Sequence, residues 1–168
     1  MDFEIDSLTN SILNVISGDS FATEVSRATK ADIKQTNKKN GWAFNWQAEL
    51  DNNAKEVYRL TIVNNLSIVQ GLVSLTIAED HIYMDLLESA PFNLGKKKLY
   101  EGVAGNLVAY ACKVSFQQGF DGYVSFTAKI KLIEHYTNTL GAALFGGQLM
   151  IINTIAANKL IDKYFKNA

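Results

Sequence analysis

Two short apolar runs, Ile82–Leu87 and Gly122–Thr127, bracket a long segment of helical period, Val103–Gln118. Val103, Leu107, Ala111, Val114 and Phe116 line one face of that segment, and Gly119 closes it. A strand, a crossover helix and a second strand form a βαβ unit, whose two strands must run parallel. Ahead of the unit the chain keeps a different rhythm. Trp42, Phe44 and Trp46 alternate with Ala43, Asn45 and Gln47, which predicts a strand. Asp51-Asn52-Asn53 reads as a turn, Val57–Val63 as a strand, Asn64-Asn65 as a turn, and Ile68–Ile77 as an apolar run interrupted by Gly71. Glu79-Asp80 breaks the chain before Ile82. Four strand-like runs joined by short polar turns predict an antiparallel meander.

The ends are assigned in the same way. Ile5, Leu8, Ile12 and Ile16 recur at helical spacing, which predicts an amphipathic helix ended by Gly18. Phe21–Ser26 reads as a short strand, and the Lys- and Asn-rich stretch 30–40 as a solvated helix or loop. Ile130–Thr139, ended by Gly141, reads as a helix, Leu149–Ile155 as a strand and Ala157–Phe165 as a closing helix. The fold class expected is α/β: one mixed, twisted sheet, an antiparallel meander plus the parallel βαβ unit, flanked by helices. It is expected as a single domain over residues 1–168, with residues 1–40 as an N-terminal segment.

Composition narrows the function classes. A formal net charge of −1 argues against a nucleic-acid or anionic-membrane partner. No apolar run reaches the ~20 residues of a membrane span, and acids stand among Met1–Asp6 where a secretory leader carries bases. A cytoplasmic location is expected. The one cysteine, Cys112, has no disulfide partner in the chain, and its apolar surroundings suit a buried thiol better than a nucleophile. His81 and His135 are too few and too isolated for a zinc constellation, and no metal is expected.

The chemistry concentrates between Ile82 and Gly141. After Glu88-Ser89-Ala90-Pro91 comes a loop with Gly95 and the run Lys96, Lys97 and Lys98, then Gly102-Val103-Ala104-Gly105-Asn106 at the head of the long helix. Small residues let another group approach the backbone. The first N–H groups of a helix lack internal partners, and its dipole favours an anion there. The upstream lysines add positive charge, so the turn suits a pyrophosphate. A solvated lysine loop ahead of an ordinary helix start fits the same residues. No Gly-Lys-Ser/Thr follows the turn and Gly-x-Gly-x-x-Gly is absent, so neither a Walker loop nor a dinucleotide fingerprint is present.

The stretch from Gly102 to Leu107, with Gln118-Gly119-Phe120 closing the helix, resembles the acetyl-CoA-binding motif of the GNAT superfamily of N-acetyltransferases. Gly102 and Ala104 match its Gly-x-Gly/Ala pair, and the strand Tyr123–Thr127 follows as in that family. His135-Tyr136 with Leu140-Gly141-Ala142 is similar to its Phe-Tyr … Leu-Gly-Phe ending. The resemblance spans roughly residues 40–155 and is strongest over 82–142, the expected acyl-CoA-binding core. The motif's Gln/Arg position falls on Leu99, and the loop from Pro91 to Gly102 is longer than usual.

The resemblance implies an acyl-CoA-dependent N-acyltransferase with acetyl-CoA as co-substrate and a small-molecule or peptide amine as acceptor; a homodimer is common in the family. It implies cofactor contacts at Leu87, Lys96, Lys97, Lys98, Tyr100, Gly102, Val103, Ala104, Gly105, Asn106 and Lys129. Leu87 or Glu88 is expected to supply a backbone N–H for the oxyanion. Tyr136 is expected to protonate the departing thiolate and Glu88 to act as base, with Asp85 as the alternative acid–base group. His135 reads as a packing residue, and Trp42 and Trp46 as core or as an acceptor-site wall. A non-catalytic acyl-CoA-binding module and a structural or partner-binding protein on the same fold are the competing expectations.

Overall fold

The computed structural model describes residues 1–6 and 11–166 of the chain. Strands β1 (Ile12–Asn14), β2 (Ser20–Phe21) and β3 (Thr23–Arg27) come first, then helices α1 (Lys30–Gln35) and α2 (Trp46–Asp51). Strands β4 (Glu56–Ile62), β5 (Gly71–Ile77), β6 (Ile82–Ser89) and β7 (Tyr100–Glu101) follow. Helix α3 (Val103–Gln117), strand β8 (Val124–Thr127), helix α4 (Ile133–Leu140), strands β9 (Ala143–Gly146) and β10 (Leu149–Ile152), and helix α5 (Thr154–Ile161) complete the order. The larger sheet has seven strands in the order β3-β4-β5-β6-β8-β10-β9, and the smaller has three, β2-β1-β7.

The mixed α/β architecture is as the sequence indicates. The β3–β6 meander is antiparallel, and β6 and β8, joined through α3, are parallel. Alternation places Val57, Leu72 and Leu86 in one core with Ile33, Trp42 and Trp46, while Tyr58, Val73 and Leu87 enter the larger core with α3 and α5. Among the described residues no helix is long and apolar enough to cross a membrane.

Two sequence expectations are corrected. The run at Ile5, Ile12 and Ile16 is not helical. Ile12 lies in β1, opposite Phe21, and Ile16 lies in the turn to β2, where the Asn14 side chain accepts from the Ile16 and Ser17 amides. Gly18 therefore lies in the β1–β2 connection, where its amide donates to the Asn14 carbonyl, and does not end a helix; Leu8 lies outside the described residues. Trp42-Phe44-Trp46 is not a strand either. Gly41 closes a 3-10 turn at φ +92°, and Asn45 caps α2 by accepting from the Ala48 amide. The tryptophans are buried as a pair beneath the α1–α2 layer, so capping and burial override the alternation. The meander's first strand is instead β3.

A register break shapes the centre of the sheet. Leu75 pairs with Met84 but Ser74 with Leu86, so Asp85 is the extra residue of a bulge. The bulge turns both Met84 and Leu87 into the larger core and leaves Leu86 on the opposite face.

Candidate active site

Strands β6 and β8 pair only at Ile82–Val124 and Tyr83–Ser125. Beyond that point β6 runs on to Ser89 with no strand partner on the β8 side among the described residues. The parallel pair therefore splays at its carboxyl ends, the position at which open α/β sheets bind ligands. The head of α3 and the middle of α4 border the opening. A larger pocket, about 730 Å³, lies by Glu79, His81 and Tyr123 at the other end of the same strands. It touches none of the expected catalytic or cofactor-contact residues and is not the site considered below.

Gly102 caps α3 at φ +95°, a conformation open to glycine at little cost. Its amide N–H points out of the helix and donates to the Asp6 carboxylate at 3.1 Å, while the Lys98 ammonium reaches the other oxygen of that carboxylate at 3.0 Å. The helix head and Lys98 thus form one anion-holding unit. Lys96 and Lys97 lie exposed on the loop, away from that pair of bonds. Tyr100 pairs with Asn14, its amide donates to Asn93, and its ring packs edge-on against Phe21.

The other small residues at the head of α3 serve packing. A Cβ on Gly105 would lie 1.8 Å from the Tyr164 hydroxyl, so this glycine makes room for the Tyr164 side chain. Val103 and Ala104 are buried in the larger core. Asn106, fully buried, donates to the Gly102 and Ser11 carbonyls and accepts from Thr23. It ties the start of α3 to the approach to β1 through Ser11 and to β3 through Thr23.

Tyr136 projects from α4 between Phe3 and Phe126, whose ring centroids lie 4.9 and 5.2 Å from its own. It has no exposed surface, and its hydroxyl donates to the Phe3 carbonyl. Burial first, then the negative charges of Asp2 and Glu4, push its pKa well above the ordinary phenol value. Tyr136 therefore keeps its proton through the physiological range and is chemically a donor.

Glu88 sits at 7 % exposure near the end of β6. One carboxylate oxygen accepts from the Ala43 amide at 2.6 Å; the other accepts from the Trp46 indole at 2.8 Å and the Phe44 amide at 3.3 Å. Three of its roughly four acceptor positions are thereby committed to the 43–46 segment. Asp85 is equally engaged, with Thr76 at 2.6 Å and Lys55 at 3.5 Å. Leu87 is buried in the larger core beside the opening. Lys129 is exposed at the end of β8. Cys112 is fully buried in α3, and desolvation pushes its thiol up to about 12, so it is inert.

The occupant of the splay is the chain itself. Ala128 bonds to Gln148 on the β10 side; Thr127 and Lys129 face the other way. The Thr127 carbonyl accepts from the Met1 nitrogen, and the Lys129 amide donates to the Met1 carbonyl. The Lys129 ammonium meets Asp2 at 2.8 Å, and the Ile5 amide donates to His135 Nε2 at 2.9 Å. Residues 1–6 thus run from the end of β8 past Tyr136 to the Gly102 amide. Helical periodicity missed this segment. The signal that finds it is the strict alternation of Met1, Phe3 and Ile5 with Asp2, Glu4 and Asp6, a period of two. A pocket of about 360 Å³ remains beside it, lined by Phe44, Glu88, Asn93 and Lys98 among others.

Comparison with known proteins places the fold. No family model and no curated protein matches the chain. Solved structures do. The ribosomal-protein-S18-alanine N-acetyltransferase of Escherichia coli aligns over 78 % of this chain and 94 % of its own, at 11 % identity and a TM-score of 0.56. The AtaTR complex bound with acetyl-CoA aligns over 83 % and 98 %, at 16 % identity and 0.58. The spermidine N-acetyltransferase of Vibrio cholerae in complex with CoA and spermine aligns over 81 % and 98 %, at 14 % identity and 0.54. The likeness is one of fold, and that fold is the GNAT N-acetyltransferase fold.

Proposed function

We propose that the protein is an acyl-CoA-dependent N-acyltransferase that moves an acetyl group to a primary amine. The observation that carries this reading is the joint placement of a proton-holding tyrosine and an anion-holding helix head at the splayed ends of β6 and β8. Neighbours of the same fold include enzymes and complexes named for N-acetylation and bound to CoA or acetyl-CoA. The donor set suits such a co-substrate: the Gly102 amide and Lys98 already share a carboxylate, and a phosphate oxygen asks for the same two donors.

Acyl-CoA supplies an activated thioester when bound, and this chain's own groups do the rest. Gly102 and Lys98 fix the anionic end. Lys129 stands at the far rim of the opening, and Lys96 and Lys97 supply screened positive charge along the approach. Tyr136 holds a proton at its hydroxyl, ready for a departing sulfur. Leu87 and Glu88 bring the unpaired edge of β6 to the opening, where a backbone N–H can stabilise developing negative charge. Glu88 enters this mechanism as a positioning residue, since its carboxylate holds the 43–46 segment that walls the remaining pocket. The acceptor amine then loses its proton to water in that pocket. Val103, Ala104, Gly105, Asn106 and Tyr100 act through the packing that sets the helix head in place.

The acceptor class rests on chemistry: an uncharged primary amine is the nucleophile that a thioester site without a committed side-chain base can use. The filled splay favours one competing reading, a protein that keeps this fold and has its own segment as a permanent filler. A thermal-shift titration separates the two, because a ligand at 100 times its Kd stabilises its protein by about 2.7 kcal/mol. A panel of primary amines scored by thiol release then tests turnover. An unchanged melting temperature across millimolar acetyl-CoA would reject the transferase reading.

A further inference from the structure

We propose that residues 1–6 form a self-docking plug that competes with acyl-CoA for the splay, so that the enzyme rests closed and co-substrate must displace its own chain. The inference rests on the acyltransferase reading above and adds regulation to that site.

The two occupants exclude one another atom by atom. Gly102 has one amide proton, and Asp6 accepts it. Tyr136 has one hydroxyl proton, and the Phe3 carbonyl accepts it. The Lys129 amide, just past the end of β8, has one proton, and the Met1 carbonyl accepts it. A donor with one proton cannot serve the segment and a ligand at once.

The segment also copies the polarity of the ligand it would exclude. Its acids neutralise the basic groups at each end of the opening, Asp6 with Lys98 and Asp2 with Lys129. Its apolar members turn inward: Ile5 is 7 % exposed, and Phe3 stacks against Tyr136 and Phe126. An anion at the helix head and an apolar body over the tyrosine describe a phosphorylated thioester equally well. Asp2 and Glu4 face solvent, while Met1, Phe3 and Ile5 pack against the larger core, so the segment is seated on one face only.

Two measurements on the full chain test this. Hydrogen exchange of the wild-type protein, read on the peptide covering residues 1–6, reports whether the Ile5 amide stays bonded to His135. Saturating acetyl-CoA is expected to speed exchange there and to slow it at the head of α3. Calorimetric titration then compares the wild type with Asp6→Ala, which removes the carboxylate and touches no reacting group. The variant is expected to bind acetyl-CoA about ten-fold more tightly, the size of one charge-assisted hydrogen bond released from competition. Equal affinities, with residues 1–6 protected in the presence of ligand, would overturn the plug and leave the transferase reading standing. Failure of both chains to bind acetyl-CoA at millimolar concentration would overturn the transferase reading and the plug together.

Discussion

The indole N–H of Trp46 donates to the carboxylate of Glu88 at 2.8 Å, and this buried bond fastens the first turn of α2 to the end of β6. With the Ala43 and Phe44 amides, it makes one side chain the anchor of a whole connecting segment.

Replacing that anchor should cost stability before it costs chemistry. Glu88→Gln leaves an amide NH₂ facing backbone donors, and the expected loss is about 2–3 kcal/mol. At this chain length that lowers the melting temperature by roughly 5–10 °C. Trp46→Phe removes one donor and should cost about 1–2 kcal/mol. The double variant should lose less than the sum, because the two share a bond. Calorimetry of the four proteins reads the cycle. If Glu88→Gln keeps the wild-type melting temperature but abolishes turnover, Glu88 is the base and not the anchor.

Tyr136→Phe keeps the ring between Phe3 and Phe126 and deletes only the donor. Turnover is expected to fall on the order of 10²-fold, the lower range for a general acid. Acetyl-CoA affinity should not fall, since the hydroxyl also releases the Phe3 carbonyl. Steady-state rates with a small amine acceptor check this; undiminished kcat would remove Tyr136 from the chemistry.

Gly102→Ala forces a Cβ into the left-handed region, where the residue stands at φ +95°. The expected cost is about 1–2 kcal/mol, and the amide turns away from the anion site. Acetyl-CoA affinity should weaken together with the loss of stability. Gly105→Ala is the control on the same turn. Its Cβ would collide with Tyr164, giving about 1–3 kcal/mol of overpacking, with acetyl-CoA affinity changed far less than in Gly102→Ala. Comparable losses of affinity in both would argue against a specific role for the Gly102 amide.

Alkaline pH should unfold the protein through its core. The Cys112 thiol has a folded pKa raised from 9.0 to about 12, and that of the Tyr136 phenol is raised as well, both mainly by burial. An acid whose folded pKa is raised gives stability that is whole below its unfolded pKa and drains as pH climbs towards the folded one. The melting temperature should therefore decline above about pH 9, and Cys112→Ala should flatten the decline. At pH 8 the native thiol should resist iodoacetamide, and mass spectrometry should show labelling only after unfolding.

Several parts of this molecule are legible in the amino-acid sequence. The period of 3.6 across Val103–Gln117 and the glycines at its two ends identify α3, because side chains three and four apart meet within one helix. Tyr136 on α4 and Gly102 at a helix head followed from the same local patterns and from the family resemblance they carry. The alternation at Trp42, Phe44 and Trp46 misled for a definite reason: it is short, and Asn45 offers a cap that starts a helix in its midst. The engagement of Glu88 was illegible, since its three donors lie 42 to 45 positions away.

The amino-acid order alone determined the βαβ unit, the glycine that opens its helix and the strand periods of the meander. Each of these depends on residues close enough in the chain to share a turn or a face. Only the tertiary structure decided that Asp6 meets the amide of Gly102, 96 positions on, and that Phe3 lies over Tyr136. The physical reason is that a splayed sheet presents unpaired donors wherever its strands part, and which acceptor reaches them depends on how the whole chain returns to that point.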